Sequence, residues 1–243
     1  MRFVLSRHTL PLSGITRPYR ACVVADFHNG EEHAVVEAIR RESPDLILIP
    51  GDFVHKRGKT EHGFVMLSAC AAICPTYCSL GNHETRCRLP DVSARVEHTG
   101  AVLLDDAAVR HGELTLGGLS TGYRAGVKQG RLKPTPPPNL HFLSEFEKEP
   151  GCRILLCHHP EYYEPYIRER NIPLTVSGHA HGGQWELFGR GLFAPGQGFF
   201  PRYTAGLYEG RLLVSRGLAG VLPLLPRIGN PRELLVLNLV PTI

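Results

Sequence analysis

Residue types suited to metal and proton chemistry recur in five short clusters of this sequence. They are Asp26-Phe27-His28, Gly51-Asp52, Gly81-Asn82-His83-Glu84, His158-His159-Pro160-Glu161 and Gly178-His179-Ala180-His181-Gly182. Asp26 and His28 stand two apart, so on extended chain both side chains face one way and a carboxylate oxygen and an imidazole nitrogen can grip one cation. In the fifth cluster, two imidazoles flanked by glycines can address two cations from a single turn, because glycine lets the backbone approach closely. Asn82 offers an amide oxygen that can ligate a hard or borderline metal, and the adjacent His83 points elsewhere and is left to handle protons. Each cluster alone has an ordinary explanation: a helix cap at Asp26, a turn at Asp52, a solvated loop at His179.

What lifts the clusters above those explanations is the kind of element that precedes each of them. Leu46 to Ile49 is an unbroken apolar run, which reads as a strand buried on both faces, and Pro50-Gly51 then turns the chain outward and delivers Asp52. Tyr19 to Ala25 is a second strand candidate and ends in Asp26; the segment from Glu31 to Arg41, apolar at Ala34, Val35, Ala38 and Ile39, predicts a helix between the two. Strand, loop, helix, strand is a βαβ unit that brings both acids to one sheet edge, where open α/β sheets bind ligands. A helix over about 61–73, a strand Thr76 to Leu80 before Asn82, a strand Cys152 to Cys157 before His158, a following helix, and a strand Leu174 to Ser177 before His179 repeat the arrangement. Between Arg86 and Glu149 the pattern predicts a helix over 91–99, strands at Ala101 to Leu104 and Leu114 to Leu119, and a hairpin turn over 109–113. Arg124 to Pro138 is proline-rich and loop-like, suited to one wall of a cleft.

Five strand ends therefore carry Asp26/His28, Asp52, Asn82/His83, His158 and His179/His181. Asp52 can bridge two cations, with Asp26, His28 and His181 completing one site and Asn82, His158 and His179 the other. Nitrogen and carboxylate donors with one amide suit Mn, Fe or Zn better than an all-oxygen Mg or Ca cage.

Composition narrows the remaining classes. The chain of 243 residues is 42% apolar, enough for one substantial α/β domain, and a single domain over 1–243 is the expectation. A net charge of +4 without a long Lys/Arg block gives no sign of a nucleic-acid polymer as partner. Seven cysteines, odd in number and irregular in spacing, predict buried thiols in a reducing compartment; Cys70, Cys74 and Cys78 fall at helical spacing, but Pro75 interrupts that helix. No apolar run has the length of a membrane span, and Arg2, Arg7, His8 and Pro11 break any secretory leader, so no transmembrane anchor and a cytoplasmic location are expected.

Asp-x-His, Gly-Asp, Gly-Asn-His-Glu, His and Gly-His-x-His in this order resemble the calcineurin-like metallophosphoesterase superfamily. The stretch Gly189-Arg190-Gly191-Leu192-Phe193-Ala194-Pro195-Gly196-Gln197-Gly198, with Pro201-Arg202-Tyr203 and Val214-Ser215-Arg216-Gly217-Leu218, resembles more narrowly its bacterial phosphodiesterase branch, which includes YaeI-like and YkuE-like proteins. The resemblance runs from about Thr9 to Leu239. It implies an α/β fold, a four-layer α/β/β/α sandwich with two mixed sheets, holding two divalent metal ions. It further implies hydrolysis of a phosphoester substrate, most of all a phosphodiester, by a hydroxide bridging the metals, with His83 as general acid. The family's His-x-Pro spacing favours His158 over His159 as ligand. Arg202 and Arg216 are candidates for holding a substrate oxygen. One position departs from the family: where many relatives have an Asp that orients the catalytic His, this chain has His55. Two other readings share these residues, a non-catalytic metal-binding scaffold on the same fold and a metallohydrolase of a non-phosphate ester.

Overall fold

The computed structural model of the chain describes residues 2–55, 60–86, 91–123, 133–219 and 226–242. In chain order these form β1 (Val4–Leu12), β2 (Tyr19–Val23), α1 (Glu32–Glu42), β3 (Leu46–Pro50), α2 (Glu61–Ala71), β4 (Thr76–Ser79), α3 (Asn82–Arg86), α4 (Val92–Glu97) and β5 (Val102–Leu103). The second half gives β6 (Ala107–His111), β7 (Leu114–Leu119), α5 (Leu140–Phe146), β8 (Cys152–Cys157), β9 (Leu174–Ser177), four two-residue strands β10 (Glu186–Leu187), β11 (Arg190–Gly191), β12 (Phe193–Ala194) and β13 (Gly198–Phe199), then β14 (Gly206–Tyr208), β15 (Leu212–Val214) and β16 (Glu233–Pro241).

Two six-stranded sheets result, ordered β1-β16-β2-β3-β4-β5 and β14-β15-β9-β8-β7-β6. Both are mixed. In the first, β2 to β5 run parallel and β16 lies antiparallel to β2. In the second, β15, β9, β8 and β7 run parallel while β14 and β6 are antiparallel edges. The apolar runs are continuous because each central strand is covered twice. On β2 and β3, Ala21, Val23, Leu46 and Leu48 join Leu116, Ile154, Leu156, Leu174 and Val176 in the core between the sheets. Their alternate neighbours, Cys22, Ile47 and Ile49, pack outward with Val35, Ile39, Phe64 and Leu67 of α1 and α2. Leu119, Leu155 and Cys157 of the second sheet pack outward with Leu143, Phe146, Tyr163 and Ile167. The layers are thus helix, sheet, sheet, helix, as expected.

The segment from Pro160 onward departs from the helix expected after the His158 cluster. It forms a 3-10 turn, Pro160–Tyr162, followed by a π turn, Tyr163–Ile167. Pro165 lacks an N–H and its ring obstructs the preceding carbonyl, so a regular α ladder cannot run through it. β1 and β16 were not anticipated; Pro11 is tolerated in β1 because that strand is a sheet edge. Cys22, Cys70, Cys74, Cys78, Cys152 and Cys157 are free thiols, and burial pushes those of Cys22 and Cys70 up to about 12. Cys87 lies outside the described residues, as does the proline-rich segment up to position 132. Among the described residues no helix is long and apolar enough to cross a membrane.

Candidate metal centre

The C-terminal ends of β2, β3, β4, β8 and β9 meet on one side of the double sheet. Five of the seven predicted ligands take left-handed backbone there, Asp26 (φ 50°), His28 (49°), Asp52 (53°), His179 (65°) and His181 (48°). Such a conformation in a non-glycine residue costs on the order of 1–3 kcal/mol and persists only where the surroundings impose it. Here the loops impose it on one another. His28 N–H donates to the Asp52 carbonyl at 3.1 Å, and Gly178 N–H to the His158 carbonyl at 3.2 Å. His179 N–H donates to the Asp26 carboxylate at 2.9 Å, joining the second sheet to the first. The glycines permit this crowding: a Cβ on Gly178 would sit 2.8 Å from Asp26 Oδ2, and one on Gly51 would sit 2.9 Å from His158 Nδ1.

The side chains gather into two groups sharing one space. Asp26, His28 and His181 present ligand atoms within 4.8 Å of one another, and so do Asp52, His158 and His179. His28 Nε2 joins the groups, 3.8 Å from Asp26 Oδ1 and 3.6 Å from Asp52 Oδ2. His158 Nε2 lies 3.3 Å from Asp52 Oδ2, and His181 Nε2 3.5 Å from Asp26 Oδ1. Backbone carbonyls fix the tautomers of two rings: His158 Nδ1–H donates to Pro50 O and His181 Nδ1–H to Ala219 O, both at 2.8 Å. Each Nε2 lone pair is thereby turned toward the carboxylates, the outer-sphere arrangement that metal-ligating imidazoles need. Asn82 Oδ1 is buried without a hydrogen-bond partner, an orphaned acceptor that a cation would satisfy.

Burial and the fields of neighbouring groups shift the protonation of these side chains. Burial pushes Asp26 up to about 7. Burial also opposes ionisation of Asp52, but the fields of His158, His83 and His28 overcome it and hold that carboxyl well below its ordinary range. For His158 burial favours the neutral ring, yet Asp52 raises it to about 10. His28 is lowered to about 3 by burial, and His179 and His181 are driven well below the ordinary imidazole range by the same cause. Two buried carboxylates facing a set of mostly neutral imidazoles form a donor set fitted to divalent cations.

His83 stands at the rim, its side chain 15% exposed, with Nε2 4.0 Å from Asp52 Oδ2 and its ring centroid 4.4 Å from that of His28. His55 packs against it at 4.6 Å, so the position that departs from the family pattern still touches His83, through an imidazole face. Arg202 and Arg216 are not brought to the cluster. Arg202 pairs with Glu164 on the exterior and lies over the Tyr203 ring. Arg216 is held by Glu186 at 3.0 Å and Glu233 at 3.5 Å. The half-buried guanidinium of Arg227 does reach the ligands: it is bonded to the carbonyls of Arg216 and Ala219 and lies 3.4 Å from His181 Nδ1. Burial lowers it to about 10. Sequence reasoning missed Arg227, which lies between prolines with no periodicity around it.

Glu84 was also missed as a structural actor, although its motif was visible. It is 2% exposed, and its carboxylate accepts from the backbone N–H groups of Asp52 (2.9 Å), Val54 (2.9 Å) and Gly81 (2.8 Å).

The family model described as calcineurin-like phosphoesterase matches residues 19–183. An uncharacterized metallophosphoesterase of Campylobacter jejuni is 27% identical over 240 residues, which cover 94% of this chain and 61% of that protein. One from Helicobacter pylori is 24% identical over 241 residues, 95% of this chain and 62% of its own length. The chain spans about three fifths of the length of these curated relatives. Among solved structures, an archaeal phosphodiesterase aligns with a TM-score of 0.48 at 12% identity, covering 85% of this chain and 89% of that one.

Proposed function

The chain belongs to the calcineurin-like phosphoesterase family, and from that premise we propose that it hydrolyses phosphodiesters with two divalent cations. In this reading Asp26, His28 and His181 would hold one cation, Asn82, His158 and His179 would hold the other, and Asp52 would serve both. Residues from both sheets build the one centre, which supports treating 1–243 as a single functional domain. The observation that carries the reading is the aim of the imidazoles: His158 and His181 give their Nδ1 protons to backbone carbonyls and turn Nε2 toward Asp52 and Asp26. Imidazole with carboxylate favours Mn, Zn or Fe.

When bound, such cations act as Lewis acids on a phosphoryl oxygen and acidify water into a nucleophile. The chain's own part is to fix the donors before substrate arrives, through the imposed backbone and the carbonyl-tied rings. His83, half-buried and beside Asp52, is the general acid that gives its proton to the departing alkoxide. Asp52 accepts the His83 backbone N–H at 2.8 Å, so the acid is set at a fixed height above the carboxylate.

The test is hydrolysis of an aryl phosphodiester, beside a panel of phosphomonoesters and alkyl diesters, after chelation and after addition of Mn, Zn or Fe. Activity lost on chelation and restored by one of these metals is expected, with diesters preferred. Full activity in a demonstrably metal-free sample overturns the reading.

A further inference from the structure

Behind the centre lies a third group of ligand-type atoms. His159, Glu161 and His179 each offer one within 4.8 Å of the others. His159 and His179 are buried, and His159 Nδ1, Glu161 Oε2 and His179 Nε2 all lack a hydrogen-bond partner. We propose that this group is a hydrogen-bonded hub in which Glu161 is a positioning residue, holding His179 so that its Nδ1 faces the cation site. The inference rests on the reading above and deepens it.

The two nitrogens of His179 face opposite ways. Nδ1 lies 3.2 Å from His158 Nε2, on the side of Asp52, whereas Nε2 lies 3.8 Å from Glu161 Oε1. An imidazole that gives its Nδ1 lone pair to a cation carries its proton on Nε2, and a buried N–H without an acceptor is costly. Glu161 is the acceptor in reach; a shift of under about 1 Å turns the contact into a hydrogen bond. His159 makes the same demand from another side. Its Nε2 is bonded to Thr121 Oγ1 at 2.8 Å, and with that hydroxyl donating, the proton sits on Nδ1, 3.4 Å from the same Glu161 oxygen. The Thr135 hydroxyl also donates to Glu161 Oε1. Three donors thus converge on one carboxylate.

The fold keeps room for that carboxylate. Gly196, at φ 76°, is placed so that a Cβ would run into Glu161 Oε1 and the Thr135 hydroxyl. The glycine in Pro195-Gly196-Gln197 therefore has a local reason, clearance for the hub. A third cation fits these atoms less well. It would require His179 to surrender both ring protons, whereas two N–H donors against one carboxylate balance as they stand. Carboxylates that orient metal-ligating imidazoles typically contribute about 10- to 100-fold in metal affinity.

The test is calorimetric titration of Mn²⁺ or Zn²⁺ into the chelator-treated full chain. Wild type is expected to show two binding events. Glu161→Gln is expected to weaken one of them by about 10- to 100-fold and leave the other unchanged, with the metal-free melting temperature preserved. Thr135→Val, a milder change, should weaken the same event by a smaller factor. In a His179→Ala background Glu161→Gln should add nothing, because a residue acting through His179 has no further effect once that ring is gone. Two unaltered events in Glu161→Gln overturn the inference alone, as does equal weakening with and without His179. A third cation bound by wild type and lost in Glu161→Gln overturns it in favour of a metal site. A wild-type chain that binds no cation overturns the proposed function and this inference together.

Discussion

The buried carboxylate of Glu84 accepts a 2.9 Å hydrogen bond from the backbone N–H of Asp52. Its other two donors, Val54 and Gly81, belong to the turns after β3 and β4. One side chain therefore staples the two loops that carry Asp52 and Asn82, and the fourth residue of Gly-Asn-His-Glu acts on geometry and not on substrate. A Cβ on Gly81 would sit 2.6 Å from the Asp52 backbone N, so the loops meet too closely for any larger residue there.

Glu84→Gln tests that staple. An amide has one accepting oxygen where the carboxylate has two, so at least one of three buried N–H groups is set against an NH₂. An unsatisfied buried donor costs about 1–3 kcal/mol, and that loss is expected in chemical denaturation of the metal-free chain. Displacing Asp52 should also weaken both cation events together. A variant as stable as wild type, with both events intact, would show that the staple is dispensable.

Much of the centre was legible because parallel strands covered on both faces must be unbroken apolar runs, and the polar residue ending such a run stands at the sheet edge. Leu46 to Asp52 and Leu174 to His179 announce themselves in this way. Glu84 was not legible as a staple, since a glutamate three residues past a glycine ordinarily faces solvent. The turns at Pro160–Tyr162 and Tyr163–Ile167 replace the expected helix because Pro165, with no N–H to give, interrupts the ladder there. β1 was hidden by Arg7 and His8, which an edge strand can leave half in water. Arg202 and Arg216 were chosen from motifs, and a motif does not reveal that an acidic partner already occupies each guanidinium.

Stability of the metal-free chain should fall as pH rises from about 6.5 to about 8. Asp26, raised from 3.8 to about 7, chiefly by burial, keeps a proton in the folded state that the unfolded chain releases. His158, raised from 6.5 to about 10 because Asp52 outweighs burial, does the same. Their contribution is complete below the unfolded values and is lost as pH climbs through the folded ones. His28, His159, His179 and His181 are shifted the other way by burial, so their effect opposes this only below about 6.5. Each extra proton held in the folded state corresponds to about 1.4 kcal/mol per pH unit. Thermal melts in chelator should show the decline, and saturating Mn or Zn should reverse it, because cations favour the deprotonated donors. A melting temperature that rises over this window without metal would contradict the protonation pattern.

Asp52→Asn should impair both cation events, since a neutral amide cannot offset the charge of two cations at once. His181→Ala should chiefly weaken one event, that of the Asp26 group, because its Nε2 faces Asp26 Oδ1. Metal content after dialysis, measured per chain, separates the cases. Equal loss of two metals in both variants would count against the division of ligands.

His83 is the residue whose role differs most from its neighbours'. Asn82 before it has a buried, orphaned oxygen, whereas the His83 ring sits at the rim against His28 and His55. If it serves as general acid, its removal should slow the chemical step and leave the cations in place. General acids contribute about 10²- to 10⁴-fold, and most where the leaving group is a strong base. His83→Gln is therefore expected to slow hydrolysis of alkyl phosphodiesters by at least about 100-fold while a nitrophenyl ester, whose leaving group hardly needs a proton, slows far less. The comparison is internal to one variant, so a general loss of folding or metal would lower both rates alike. Equal slowing of both substrates with a fall in metal content would make His83 a ligand or a structural residue, and would direct the search for the acid to His55, whose ring lies 4.6 Å away.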